Sequence, residues 1–78
     1  MLKVRIISPE TAIFEGEVEH IIVPGDNGSL GILPGHSPLY AQLIEGVIQL
    51  SSAGIASVPI AGGIMRVESD TVLILTGY

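Results

Sequence analysis

Turn-forming residues interrupt this chain at close intervals. Ten glycines and five prolines are spread through 78 residues. They cut the apolar residues into runs too short for a helix, which needs about ten to twelve residues of sustained 3.6-residue periodicity. The segments between breaks carry strand patterns instead. In LKVRII (2–7), Leu2, Val4 and Ile6 alternate with Lys3 and Arg5, as in a strand with one buried face. Pro9 ends it, because proline cannot donate to a ladder. TAIFE (11–15) and EVEHIIV (17–23) flank Gly16, and Glu15, Glu17 and Glu19 share one face if the strand runs through without a bulge. LYAQLIEGVIQL (39–50) carries a break at Glu45-Gly46 and leads into the turn cluster SSAG (51–54). IASVPI (55–60), demoted to an edge or a strand end by Pro59, and GIMRVE (63–68) read as two separate strands. Ser69-Asp70 turns into TVLILT (71–76), whose unbroken apolar run predicts burial on both faces. Seven or more short strands, about eight to ten when every break is counted, predict an all-β fold, a β-sandwich or small barrel.

Residues 1–78 make one domain, near the lower limit at which a chain buries a useful core. The absence of cysteine excludes disulfides, thiolate metal sites, iron–sulfur clusters and thiol catalysis. Charged residues are 14% of the chain and apolar residues 47%. An ordinary domain is about 25% charged, so part of this surface is expected to be covered by another protein. The net charge is −5, and Lys3, Arg5 and Arg66 are the only fixed cations. Three cations cannot neutralise a nucleic-acid backbone or build a polybasic membrane anchor. No apolar run approaches the roughly 18 residues of a membrane span. The opening MLKVRIISPE has neither a signal-peptide cleavage site nor a transit-segment composition. The chain reads as soluble and intracellular, and it stops directly after a strand-like segment, at a natural end or where a following domain was removed.

The densest turn signal is GDNGSLGILPGHSPL (25–39). A phosphate cradle needs converging glycine amides, a following helix and usually a lysine. This segment leads into Ile32-Leu33-Pro34 and has no lysine, so that reading fails. Asp26-Asn27-Gly28 lacks the later oxygen ligands of a calcium loop, and Asn-Gly is better suited to the positive φ values of a hairpin turn. His20 and His36 have no HxH or HExxH spacing, so no metal site is expected. His36, Ser37 and Asp26 supply the letters of a hydrolytic triad without the elbow that would expose the serine. No catalytic residue and no cofactor are expected. His36 reads either as a turn histidine bonded to a backbone carbonyl or as a polar contact at an interface, and His20 as packed or half-exposed.

GSLGILPGHSPL (28–39), followed by IAGGIMRVESDTVLILT (60–76), resembles the epsilon subunit family of the rotary proton-translocating ATP synthase. Gly31-Ile32-Leu33-Pro34-Gly35-His36 and Gly62-Gly63-Ile64-Met65-Arg66-Val67 match its two most specific motifs, and IFEGEVEHIIVPGDNG (13–28) resembles its opening segment. The likeness covers essentially all 78 residues. One departure is Ser29, where many relatives carry an acid, so an acidic contact is not expected there. The resemblance implies a flattened β-sandwich in the central stalk, binding the gamma subunit on one side and the c-subunit ring on another. Such a domain is non-catalytic, couples proton-driven rotation to ATP synthesis, and meets the cytoplasmic face of a bacterial membrane only through the complex. Relatives usually continue into two helices that restrain ATP hydrolysis and in some cases bind ATP. This chain ends at Thr76-Gly77-Tyr78, so neither role is carried over to it.

By the same resemblance, Asp26, Asn27, Gly28, Ser29 and Leu30 lie at the end facing the c ring. His36, Ser37 and Pro38 are weaker interface candidates. For the gamma side, the N-terminal strand around Ile7, Ser8 and Pro9 is the candidate. The competing readings are an assembly module of an unrelated complex, resembling a chaperonin cofactor, and a small hydrolase using His36 and Ser37. A lipoyl- or biotin-type carrier falls, because Lys3 lies inside a strand rather than in a protruding hairpin.

Overall fold

The computed structural model describes residues 1–52 and 55–77. Seven strands run in chain order among them: β1 Leu2–Ile7, β2 Ala12–Val18, β3 His20–Gly25, β4 Gly28–Ile32, β5 Leu39–Ser51, β6 Ile55–Glu68 and β7 Thr71–Thr76. They form one mixed sheet in the order β2-β1-β7-β6-β5-β3-β4. β1 and β7 pair in parallel, and the other neighbours are antiparallel. The all-β expectation holds, but the strands are fewer and longer than the turn signals implied. Residues 53–54 of the SSAG cluster lie outside the described residues.

The difference lies in β5 and β6, each of which runs through residues that read as breaks. β5 passes Glu45-Gly46, and β6 passes both Pro59 and Gly62-Gly63. Pro59 pairs with Val47 of β5, while β7 begins its pairing with β6 only at Gly63. The first half of β6 is therefore a sheet edge, where a missing N–H costs no ladder bond. At Gly62 and Gly63 the backbone takes φ values of 137° and 157°, and the strand changes which parity faces inward. Ile60 is buried before this corner, and Met65 and Val67 after it. β5 switches at the paired position, from Leu43 inward to Ile48 and Leu50 inward. Between matched pairs to β3, β5 spends five residues (44–48) against two (23–24) on its partner.

That double corner folds the sheet over on itself. β2, β1, β7, the second half of β6 and the first half of β5 make one layer. The first half of β6, the second half of β5, β3 and β4 make the other. Leu2, Val4 and Ile6 of β1 face Ile21, Val23, Ile32, Ile48 and Leu50 across a continuous apolar core. The shortest principal extent is 18 Å, which suits two layers packed about 10 Å apart. Thr76 is the one buried polar side chain among the described residues, and its hydroxyl donates to the Gly62 carbonyl at 2.5 Å. It thereby ties the end of β7 to the corner of β6.

Two further expectations change. β2 runs through Gly16, so Glu15 and Glu17 share an exposed face, but Glu19 falls at the break before β3. TVLILT is not buried on both faces: Val72, Ile74 and Thr76 are buried, whereas Leu73 and Leu75 are only half-covered.

Candidate docking surfaces

The Gly/Pro-rich strip divides into a hairpin tip, an edge strand and a loop. Gly25 and Gly28 pair across the tip of the β3–β4 hairpin, with Asp26 and Asn27 exposed between them. A Cβ on Gly25 would stand 2.8 Å from the Gly28 carbonyl oxygen, so the closure requires glycine there. The positive φ falls on Gly28, at 118°, and Asn27 does not share it, contrary to the turn expected from Asn-Gly. The Asp26 N–H donates to the Gln42 carbonyl at 3.2 Å and holds the tip against β5. Ser29 is exposed on β4, whereas Leu30 packs against the core.

Leu33, Pro34, Gly35 and His36 form a type II turn. Proline presets its second position, Gly35 supplies φ of 85° at the third, and the His36 N–H donates to the Leu33 carbonyl at 3.2 Å. The His36 ring nitrogen Nδ1 lies 2.7 Å from the Ser37 carbonyl oxygen, the backbone-bonded arrangement that was one of its two readings from the sequence. Among the described residues no hydrogen bond joins His36, Ser37 and Asp26 as a triad, and no group of three or more acidic or histidine side chains could hold a metal ion. The Gly35 N–H donates to Asp70 Oδ1 at 2.7 Å, so this loop leans on the β6–β7 turn.

Ile7, Ser8 and Pro9 stand at the far side of the same layer. Ser8 closes the turn to Thr11 through its N–H at 2.9 Å and its hydroxyl at 3.1 Å, both to the Thr11 carbonyl. The sequence reading placed the hairpin tip and this turn separately and saw nothing between them. The pairing register connects them in one line: Gln42 of β5, Ile64 of β6, Leu75 of β7 and Ile7 of β1. Asp26 is bonded to the Gln42 end of that line. Three strand steps of about 4.8 Å make it roughly 14 Å long.

This line is the middle of an outward apolar face. Tyr40 is 74% exposed, Ile64 56% and Ile44 50%, and the half-covered Leu73, Leu75 and Ile7 lie among them. Tyr40, Gln42, Gly62, Ile64 and Leu75 border a shallow open depression on it. The next line of the register, Tyr40–Arg66–Leu73–Arg5–Glu15, supplies the polar rim, with Arg5 Nε 2.9 Å from Glu15 Oε2. A sequence signal for this face existed: Tyr40, Ile44 and Ile64 are apolar at the parity opposite to the buried Leu43, Met65 and Val67. Isolated exposed apolar residues are ordinary, and only the register reveals that these are contiguous.

The sequence model of the family described as "ATP synthase, Delta/Epsilon chain, beta-sandwich domain" matches residues 1–77. The chain is 40% identical over 77 residues to the ATP synthase epsilon chain of Bordetella avium, covering 96% of this chain and 55% of that one. To the ATP synthase epsilon chain of Leptospira borgpetersenii it is 41% identical over 78 residues, covering 99% and 61%. It thus spans little more than half the length of these curated relatives. Among solved structures, a chain of the Euglena gracilis mitochondrial ATP synthase, in an assembly that includes the c-ring, superposes with a TM-score of 0.89 at 25% identity, over 96% of this chain and 49% of that one. A chain of the Tetrahymena thermophila central stalk and c-ring shares the fold, with a TM-score of 0.82 at 17% identity. A two-layer sheet turned over at a Gly-Gly corner, with the family's sequence pattern along its whole length, is a β-sandwich domain of the ATP synthase delta/epsilon-chain family, and to that family this chain belongs.

Proposed function

We propose that the chain is a non-catalytic central-stalk domain of a proton-translocating ATP synthase. It docks the gamma subunit through the outer face of β1, β7, β6 and β5, and it meets the c ring at the hairpin tip, Asp26, Asn27, Gly28, Ser29 and Leu30. His36, Ser37 and Pro38 flank that contact. Held by both partners, the domain turns with the rotor and passes proton-driven rotation on to ATP synthesis. It sits peripherally at the cytoplasmic face of a bacterial membrane and touches the membrane only through the complex.

The observation that carries this reading is the contiguous apolar face around Ile64, exposed on regular, well-paired strands and rimmed by Arg5, Glu15 and Arg66. An apolar centre with a polar rim is the anatomy of a protein interface. Low charge across the chain agrees with a surface meant to be covered. The candidate around Ile7 is thereby widened: Ile7 lies at the β1 end of the face's middle line, with Leu75 and Ile64 beside it and Tyr40 on the adjoining line.

Calorimetric titration of the chain with its cognate gamma subunit tests the reading. Saturable one-to-one binding is expected. Ile64→Lys should weaken it at least thirtyfold, or roughly 2 kcal/mol on the scale of an interface hot spot. Ser29→Arg should leave gamma binding intact and impair assembly onto the c ring. A folded chain that ignores the gamma subunit would sink the proposal.

A further inference from the structure

We infer that Asp70 is a positioning residue for the docking surface: its carboxylate ties the loop 33–38 to the β6–β7 turn and sets where Leu33 and the entry to Tyr40 stand. The inference rests on the docking reading above.

Three segments distant in sequence meet at this residue. Asp70 Oδ1 accepts from the Gly35 N–H at 2.7 Å, and the Asp70 backbone carbonyl accepts from the Lys3 N–H at 2.9 Å. Among the described residues, the bond to Asp70 is the one hydrogen bond that joins 33–38 to another part of the sheet. The loop's other bonds, His36 to Leu33 and His36 to Ser37, are internal to it. Without Asp70 the type II turn keeps its own shape but loses its anchor. That loop carries Leu33, 61% exposed, and delivers the chain to Tyr40, 74% exposed.

The turn itself does not call for an aspartate. Glu68 and Thr71 pair across Ser69 and Asp70, whose φ values are 50° and 59°. A two-residue hairpin with both central residues left-handed favours Asn-Gly, and glycine at the second place relieves the backbone. Position 70 instead holds a residue that tolerates the conformation less well than glycine but can reach across to Gly35. A residue that is suboptimal for its own turn and bonded to a neighbouring loop is accounted for by the bond. Pre-ordering that loop removes part of the ordering cost of docking.

Asp70→Gly removes the carboxylate while easing the turn. Asp70→Asn keeps an acceptor oxygen in place and still tolerates the left-handed backbone. Each chain is examined by thermal melting, by amide hydrogen exchange at Gly35, and by titration with the cognate gamma subunit. Asp70→Gly is expected to melt at or above the parent's temperature. Its Gly35 amide should exchange about tenfold faster, the loss of one charge-assisted bond, and its gamma affinity should fall several-fold. Asp70→Asn should restore both readings toward the parent. Unchanged Gly35 exchange in a folded Asp70→Gly chain overturns the anchor, and unchanged affinity overturns its role in docking. If the parent itself ignores gamma, the docking reading fails, and Gly35 exchange alone decides whether Asp70 positions the loop.

Discussion

Glycine-to-alanine substitutions at three positions test the corner that turns the sheet over. At Gly63, φ is 157° and an added Cβ would interpenetrate the Leu75 carbonyl oxygen, with the Thr76 Cα only 3.2 Å away. Those atoms are backbone of β7, paired to β6 at this register, so no side chain can swing aside. The unfavourable φ costs about 1–3 kcal/mol, and displacing one or two ladder bonds adds about 1 kcal/mol each. The expected loss for Gly63→Ala is therefore about 2–5 kcal/mol, against a total stability of roughly 5–15 kcal/mol for a domain. At Gly62, φ is 137° but the nearest atom, the Leu43 carbonyl oxygen, is 3.3 Å from the built Cβ. The conformational term dominates there, about 1–3 kcal/mol, with only a shift of a few tenths of an ångström asked of the Leu43 carbonyl. At Gly31 nothing stands within 4 Å of the added Cβ and φ is ordinary. Gly31→Ala should be neutral or stabilise by about 0.5 kcal/mol through the unfolded state. Urea unfolding of the parent and the three variants measures the series, and the melting temperature of Gly63→Ala should fall by on the order of 20 °C. Equal stabilities for the alanine variants at 63 and 31 would refute the claim that the Gly63 backbone makes the corner.

Other perturbations separate the core, the corner and the surface. Thr76→Val removes the bond to the part-buried Gly62 carbonyl and should cost about 1 kcal/mol by urea unfolding. Gly46→Ala puts a Cβ 2.8 Å from Pro24 Cβ, where β3 packs against the corner. It should destabilise by about 1–3 kcal/mol, and Pro24→Ala in the same chain should recover part of that loss. Arg5→Ala removes an ion pair whose partners are both 56% exposed, so its loss should stay below about 1 kcal/mol. Ile64→Ser, on the exposed face, should change stability by no more than about 0.5 kcal/mol, as urea unfolding would register.

The structure also explains which parts of this protein its sequence could disclose. Alternation in LKVRII marked Leu2, Val4 and Ile6 as the buried face, and all three are buried. Burial on one side of a strand imposes a period of two, a local property that survives in any fold. The Pro34-Gly35 turn was legible for the same reason, since proline and glycine act on their own dihedral angles. Gly46 was read as a break and residues 55–60 and 63–68 as separate strands by equally local logic, and here it failed, although the edge position read from Pro59 holds. A proline stops a strand only if its missing N–H faces a neighbour, and a Gly-Gly pair ends a strand only if nothing pairs with it beyond the bend. Both conditions depend on where β7 and β5 lie.

The outward apolar face was harder still. The apolar residues in TVLILT predicted burial, and half of that burial is missing from the isolated chain, on the side shared with Ile64 and Ile7. Sequence determined the strand content, the tight turns and the family, because each is written in neighbouring residues. The two-layer closure, the apolar line from Gln42 to Ile7 and the meeting of Asp70 with Gly35 were decided by tertiary structure. They join residues from separate strands and turns, and no pattern along the chain encodes which strand becomes whose neighbour.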